Sequence, residues 1–286
     1  MRLAVETGGT KILARLVGDD DAVLAETRWA TGAPEAAADA IVAFAQDHPI
    51  TAIGLAAFGP LVVDPDQPDH GRMLATAKPG WTGSNLRLAL ATQLGAPALV
   101  DTDVNAAALA ELKLGAGRGL PSLAYLTVGT GIGAGLATSA GTLKGALHPE
   151  LGHIRLVRPA DDAFASRCPF HADCAEGLAA GPAVAARLAG AQLADRPEIA
   201  ALVADYVAQV AVTLVLAWAP HRIVIGGGVG AAPGLLDRVR WAFGRALSAY
   251  GASPVTRDPD FIVAPLLANA GLEGALLMAK TLESAA

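Results

Sequence analysis

Short apolar blocks separated by glycine open the chain. Leu3-Ala4-Val5-Glu6 leads into Thr7-Gly8-Gly9-Thr10 and then into Ile12 to Val17. This spacing predicts strand, glycine turn, strand, with a third strand near Val23 to Trp29 extending the meander. Pro34 to Gln46 is alanine-rich with apolar residues at helical spacing and predicts a helix. Ile50 to Ala57 reads as a buried strand ending at Phe58-Gly59-Pro60. Ala98 to Val100 is a short strand feeding Asp101-Thr102-Asp103, and Val104 to Leu114 is a helix closed by Gly115. The opening pattern then returns: Leu123 to Val128, the turn Gly129-Thr130-Gly131-Ile132-Gly133, and Ala134 to Thr138, with Gly141 turning into a further strand. Beyond it come a helix at Tyr206 to Ala217, a strand at His221 to Ile225, and the turn Gly226-Gly227-Gly228. A helix at Leu235 to Leu247, a loop at Pro254 to Asp260 and a closing helix at Gly271 to Leu282 complete the chain. A strand–turn–strand unit used twice at so long a period is no solenoid repeat and predicts two related lobes.

Composition narrows the class. The chain has 286 residues, 53% hydrophobic and 17% charged, enough for one large domain or two lobes with a real core. Its net charge of −6 comes without a Lys/Arg cluster, so no nucleic-acid partner is expected. The N-terminus shows no signal-peptide pattern, and the apolar run Val207 to Ala219, holding Gln209 and Thr213 and stopping at Pro220, reads as a buried helix too short to span a bilayer. The expectation is a cytoplasmic protein with no membrane partner.

The glycine turns are candidate phosphate sites. Backbone N–H groups approach phosphate oxygens closely where side chains are missing. The candidates are Gly8-Gly9-Thr10-Lys11 and Gly129 to Gly133, neither of them a Walker A loop. Gly129-x-Gly131-x-x-Ala134 and Gly226-x-Gly228-x-x-Ala231 fit a loose dinucleotide fingerprint, but strand-like residues follow the first and no strand ending in an acid follows the second. Phosphoryl transfer also needs a base and Mg²⁺. Asp103, at a strand-to-helix junction, is a candidate base, although an N-cap explains an aspartate there equally well. Glu6, beside the first turn, is a candidate for orienting Mg²⁺ through water or else a solvated strand end.

His153, Cys168, His171 and Cys174 form the most specific chemical signal. Cys-x2-His-x2-Cys preceded by a histidine supplies four ligands for tetrahedral Zn²⁺. With every ligand used, the site is expected to be structural.

Together these segments resemble the ROK family of bacterial sugar kinases and repressors over nearly the whole chain. Glu6-Thr7-Gly8-Gly9-Thr10-Lys11 resembles the family's phosphate motif, and Asp101 to Ala107 its catalytic segment. Gly129 to Gly133 resembles the second phosphate loop, with Thr130, Gly131 and Gly133 at the nucleotide, and Gly226-Gly227-Gly228 the loop near adenosine. Glu150-Leu151-Gly152-His153 matches the family's sugar motif, and Cys168, His171 and Cys174 complete its zinc site with His153. The resemblance implies that Asp103 takes the proton from the sugar's 6-hydroxyl, while Glu150 and His153 hold sugar hydroxyls. Asn105, Gly59, Lys78 and Trp81 are carried along as sugar-side residues; for Trp81, core packing is an equal alternative. Glu6 before Gly-Gly-Thr, Lys78-Pro79-Gly80-Trp81 and the knuckle Cys168-Pro169-Phe170-His171 resemble the fructokinase branch, while Ala57 and Ala77 depart from it.

The implied fold is α/β, a two-lobed actin-like ATPase (ribonuclease H-like) architecture with a cleft. One lobe is expected at 1–117, with a closing helix at 270–286 packing back on it. The other is expected at 118–269, carrying a zinc loop at 153–174. The implied activity is ATP-dependent phosphorylation of a hexose, D-fructose first, with mannose, glucose or an amino sugar as rivals. A non-catalytic sugar sensor and a nicotinamide-dependent oxidoreductase are the alternatives from other classes. ATP, Mg²⁺ and structural Zn²⁺ are the implied cofactors and a homodimer the implied assembly. The first strand begins near Met1, so no family-type winged helix-turn-helix is expected before it, nor a second large epimerase domain.

Overall fold

The computed structural model describes residues 1–284. In chain order the elements are β1 (Arg2–Thr7), β2 (Lys11–Val17), β3 (Val23–Ala30), α1 (Pro34–Ala45), β4 (Ala52–Ala57), α2 (Leu86–Leu94), β5 (Ala98–Thr102) and α3 (Asp103–Lys113). There follow β6 (Ser122–Val128), β7 (Ile132–Thr138), β8 (Gly141–Thr142), α4 (Ala175–Ala179), α5 (Gly181–Leu188), α6 (Pro197–Trp218), β9 (Ile223–Gly226), α7 (Leu235–Leu247), β10 (Ile262–Val263) and α8 (Ala270–Ser284). The last two positions of the expected closing helix lie outside the described residues.

The chain forms two compact α/β units. One comprises Met1–Ala110, Ala140–Pro149 and the segment from Leu267; the other comprises Glu111–Ser139 and Glu150–Leu266. The chain's two five-stranded sheets repeat one topology, β3-β2-β1-β4-β5 and β8-β7-β6-β9-β10. In each, the first hairpin is antiparallel (β1–β2, β6–β7) and the next strand joins the first in parallel (β4 on β1, β9 on β6). The twice-used glycine hairpin is thus the visible part of a duplicated sheet, in the α/β actin-like ATPase architecture that the sequence predicts.

In the first unit the central strands are covered on both faces, which is why β1 and β4 read as nearly continuous apolar runs. Leu3, Val5, Ile53, Leu55 and Val100 pack in the cluster that holds Ile41 of α1 and Leu90 of α2. On the other face Ala4, Leu13 and Ala56 meet Ala106 of α3 and Leu272, Ala275 and Met278 of α8. Glycine makes that second layer possible: a Cβ at Gly54 would lie 1.8 Å from the Ala275 carbonyl oxygen, and one at Gly274 2.0 Å from that of Ala106. In the second unit Leu126, Val128, Ile132, Leu136 and Ile225 pack in one cluster with Leu178 of α4, Val184 of α5, Val207 and Leu214 of α6 and Phe243 of α7.

Several elements differ from expectation. The apolar helix begins at Pro197, not Tyr206, and its 22 residues are long and apolar enough to cross a membrane by length and composition alone. Glu198 and Asp205 interrupt the apolar run in sequence, but Ile199, Ala200, Val203 and Ala204 continue the buried face around them. That burial, in the cluster shared with α4 and α7, accounts for its apolar character. Helix α2, like α4, α5 and the short strand β10, had no counterpart in the sequence reading. Asn85 caps its start by accepting from Leu88 N–H, and Gly95, in the left-handed region, ends it.

Candidate active site

The chemistry of the first unit gathers at the first glycine turn and at the start of α3. Gly8 N–H donates to the Lys11 carbonyl at 2.8 Å, closing the β1–β2 turn and leaving Gly9 and Thr10 exposed. Lys78 Nζ donates to the Gly9 carbonyl at 2.6 Å, so this lysine braces the turn. Trp81 is a core residue: its ring meets Phe58 edge-on and its Nε1 donates to the Gly32 carbonyl. Packing therefore accounts for it. Gly59 precedes Pro60 in a cis peptide just after β4. Glu6 lies inside β1 and is no solvated strand end. Leu272 N–H in the first turn of α8 donates to its carboxylate, Oε2 has no hydrogen-bond partner, and burial raises its pKa against the lowering pull of Lys11.

Asp103 is the first residue of α3, and the capping alternative can be decided. Thr102 supplies the cap, its Oγ1 accepting from Asn105 N–H at 3.1 Å. Asp103 Oδ1 takes the adjoining Val104 N–H at 2.9 Å. Asn105 is fully buried; its Nδ2 donates to Asp101 Oδ1 (2.9 Å) and to the Leu143 carbonyl (3.1 Å). Asp101 also accepts from Thr102 N–H, Thr142 Oγ1 (2.6 Å) and Lys144 Nζ (3.4 Å). One buried carboxylate thereby ties the segment carrying Asp103 to the β8 strand and the residues after it. His148, in the motif before Glu150, is held neutral as burial lowers its pKa, and its Nε2 accepts from Leu61 N–H at 3.0 Å.

In the second unit the second glycine turn, the Glu150–His153 segment and the Cys/His cluster are neighbours. Gly129 N–H donates to the Gly131 carbonyl, and Gly181 N–H at the head of α5 donates to the Gly129 carbonyl at 2.7 Å. Thr130 is the turn's tip, while Gly133 already lies in β7, opposite Thr127. The Gly226-Gly227-Gly228 segment runs beside the end of β6: Val229 and Gly230 N–H both donate to the Val128 carbonyl. Gly227 has φ +86°, and a Cβ there would meet that carbonyl oxygen at 2.4 Å, so only glycine fits.

Glu176 joins these parts, and the sequence reading missed it. Its Oε2 accepts from Ile132 N–H at 3.1 Å, and a Cβ on Gly131 would lie 2.6 Å from that oxygen. Its Oε1 stands 3.9 Å from His153 Nε2. Glu150 keeps solvent-exposed surface, yet the protein crowded around it, and secondly the Glu176 carboxylate, push its pKa up to about 7. The only sequence signal for Glu176 is its place just after Cys174, opening α4.

The four ligand atoms of His153, Cys168, His171 and Cys174 lie within 4.8 Å of one another. Cys168 Sγ is 3.8 Å from His153 Nδ1 and 3.7 Å from His171 Nδ1. A tetrahedron with Zn–S of ~2.3 Å and Zn–N of ~2.0 Å has edges of roughly 3.3–3.8 Å, so donor set and spacing fit Zn²⁺. His153 shows Nδ1 to the cysteine and Nε2 to Glu176, which makes it a member of both groups.

Sheet duplication, two glycine hairpins, an aspartate opening α3 and a Glu150–His153 segment beside a Cys/His cluster define a two-unit α/β protein. The ROK family model matches residues 2–282, and the chain belongs to that family. Among its relatives, the fructokinase of Pediococcus pentosaceus is 38% identical over 279 residues (97% of this chain, 96% of the relative). The fructokinase of Zymomonas mobilis is 36% identical over 295 residues (98% and 96%). The ROK hexokinase of Thermus thermophilus superposes with TM-score 0.77 at 31% identity, covering 99% of both chains. The ROK glucokinase of Streptomyces griseus, solved with glucose and AMPPNP, gives TM-score 0.76 at 28% identity, covering 98% of this chain and 99% of that one.

Proposed function

We propose that the chain is an ATP-dependent hexose kinase that phosphorylates the 6-hydroxyl of D-fructose. The observation that carries this reading is Asp103: it opens α3 while Thr102 performs the capping, so helix capping does not explain its presence. The relatives named fructokinase support fructose as the acceptor.

In this reading Asp103 accepts the proton of the acceptor hydroxyl as the oxygen attacks the γ-phosphorus and ADP departs. Backbone N–H groups of Gly8, Gly9, Thr10 and Lys11, and of Thr130, Gly131 and Gly133, serve the phosphates, and Gly226 to Gly228 the adenosine end. Mg²⁺ neutralises phosphate charge when bound, and Glu6, with its unpartnered buried Oε2, is the carboxylate assigned to its hydration shell. Glu150 and Glu176 accept from sugar hydroxyls, and His153 donates to them. His153 would hold Zn²⁺ through Nδ1, and its ring proton would then sit on Nε2, the nitrogen facing Glu176. Asn105 serves by anchoring to Asp101, and Lys78 by bracing the Gly9 carbonyl. The assembly proposed is a homodimer, to be read by analytical ultracentrifugation.

A coupled ADP-release assay over fructose, mannose, glucose and glucosamine tests the substrate; highest kcat/KM for fructose is expected. Asp103→Asn should lower kcat at least ~100-fold with fructose binding retained. Turnover within tenfold of wild type would remove Asp103 from the role, and no sugar-dependent ADP release would leave the sensor reading.

A further inference from the structure

A cavity of about 240 Å³ opens in the first unit, lined by residues of β5, α3, α8 and the β8 region. Its floor is apolar, with Leu99, Leu109 and Met278. Its polar lining is unusual in one respect. His70 is 6% exposed, and its Nε2 has no hydrogen-bond partner. A buried ring nitrogen left without a partner is costly, and a hydrogen-bonding partner brought to it would relieve that cost.

The chemistry of the occupant follows from the remaining groups. Burial first, and then Arg87, lower the pKa of His70, so its ring is neutral at physiological pH. Thr281 Oγ1 spends its proton on the Met278 carbonyl (2.7 Å), and Thr142 Oγ1 spends its own on Asp101 (2.6 Å). Both hydroxyls therefore have lone pairs rather than protons left to offer. Lys144, 3.4 Å from Asp101, is the cationic donor of the set, and its charge is already opposed by that carboxylate. An anion would meet hydroxyl lone pairs and the Asp101 charge with little positive charge to spare. A neutral molecule that both donates and accepts through several hydroxyls, with a C–H face for the Leu99–Leu109–Met278 floor, satisfies every group.

We propose that this cavity is a binding site for a small neutral polyol, a hexitol or monosaccharide, separate from the kinase acceptor site and built on His70, Thr142, Lys144 and Thr281. Through Asp101, Thr142 and Lys144 reach Thr102 and Asn105, so an occupant bears on the segment that carries Asp103. The proposal does not depend on the chain being a kinase.

The test is a ¹H–¹⁵N correlation of the imidazole nitrogens of the full chain, without nucleotide, titrated with D-sorbitol, D-fructose or inorganic phosphate. The His70 signals are identified by their loss in His70→Gln. A saturable shift of those signals with sorbitol or fructose, unchanged in Glu150→Gln and weakened about fivefold in Thr281→Val, is the expected result. No saturable shift up to about 100 mM, far above a millimolar Kd, overturns the site. A response to phosphate but not to sorbitol or fructose overturns the ligand class, and a response lost in Glu150→Gln assigns the binding to the acceptor site instead. The wild-type titration decides even if a variant fails to fold.

Discussion

Single side chains divide between those whose chemistry is written in local spacing and those that only the fold brings together. Asp103, Glu150 and the Cys/His residues sit in short motifs that nominate them as candidates, Glu150 only through the family resemblance. Glu176 was not, because a lone glutamate opening a short helix looks like a favourable helix-start charge; its link to Ile132 N–H joins positions far apart in sequence. Glu176→Gln is expected to raise the sugar KM at least ~10-fold while zinc content stays at wild type, and an unchanged KM would show that Glu176 only props the turn. Asp162 makes the same point in a structural role. Buried, it accepts two bonds of 2.8 Å from Arg187 and a further one from Tyr206, which hold its pKa far below the usual carboxylate range. A depressed folded-state pKa contributes stability that is fully present above the unfolded value near ~4 and is lost as pH falls below it. Asp162→Asn, leaving Arg187 unpaired, should cost about 3 kcal/mol at pH 7. In urea unfolding the gap from wild type should narrow steadily between pH 4 and pH 2.5; a gap independent of pH would mean that charge is not what Asp162 contributes.

Among elements, hairpins and capped helices could be read from sequence because their signals are local: glycine at the turns, alternation in β2, Pro34 opening α1. The start of α6 and all of α2 could not, since their faces are defined by what they pack against. The segment from Val157 to Arg167 is instructive in a third way, having almost no regular structure. It is held by Gln209, which pairs with both backbone groups of Val157, by the Asp162–Arg187 pair and by the Cys/His cluster. Cys168→Ser should therefore remove bound zinc and loosen this loop rather than the whole unit. Elemental analysis should give about one zinc per wild-type chain and much less in the variant, with limited proteolysis newly cutting near residues 157–170. Wild-type protein free of zinc would overturn the metal assignment, and unchanged proteolysis would show that Asp162 and Gln209 suffice.

At the level of the whole molecule, the duplicated sheet was visible as a repeated strand–turn–strand pattern, and the family resemblance implied a closing helix packed back on the first lobe, but the assignment of 140–149 to the first unit was not read. The first unit draws on three separate stretches of chain, and its last piece, α8, covers the face of β1 and β4 that α1 and α2 leave open. No local signal says that a C-terminal helix belongs to an N-terminal sheet; the small residues Gly54 and Gly274, which let α8 approach so closely, acquire meaning only once the pairing is seen. Leu272 and Met278 each remove an apolar side chain from water at about 1.5–3 kcal/mol, with Ala275 and the partly buried Leu276 adding to this. That sum is comparable with the ~5–15 kcal/mol total stability of a typical protein. A chain ending at residue 266 should therefore fail to hold the first unit's sheet, appearing as loss of cooperative thermal unfolding in circular dichroism and as aggregation through the bared face. The second unit, whose segments end at Leu266, keeps all of its own chain in such a truncation. Resistance to proteolysis should then survive in a fragment from that unit alone, and a truncated protein with wild-type melting would mean that α8 is an accessory to the sheet rather than its second layer.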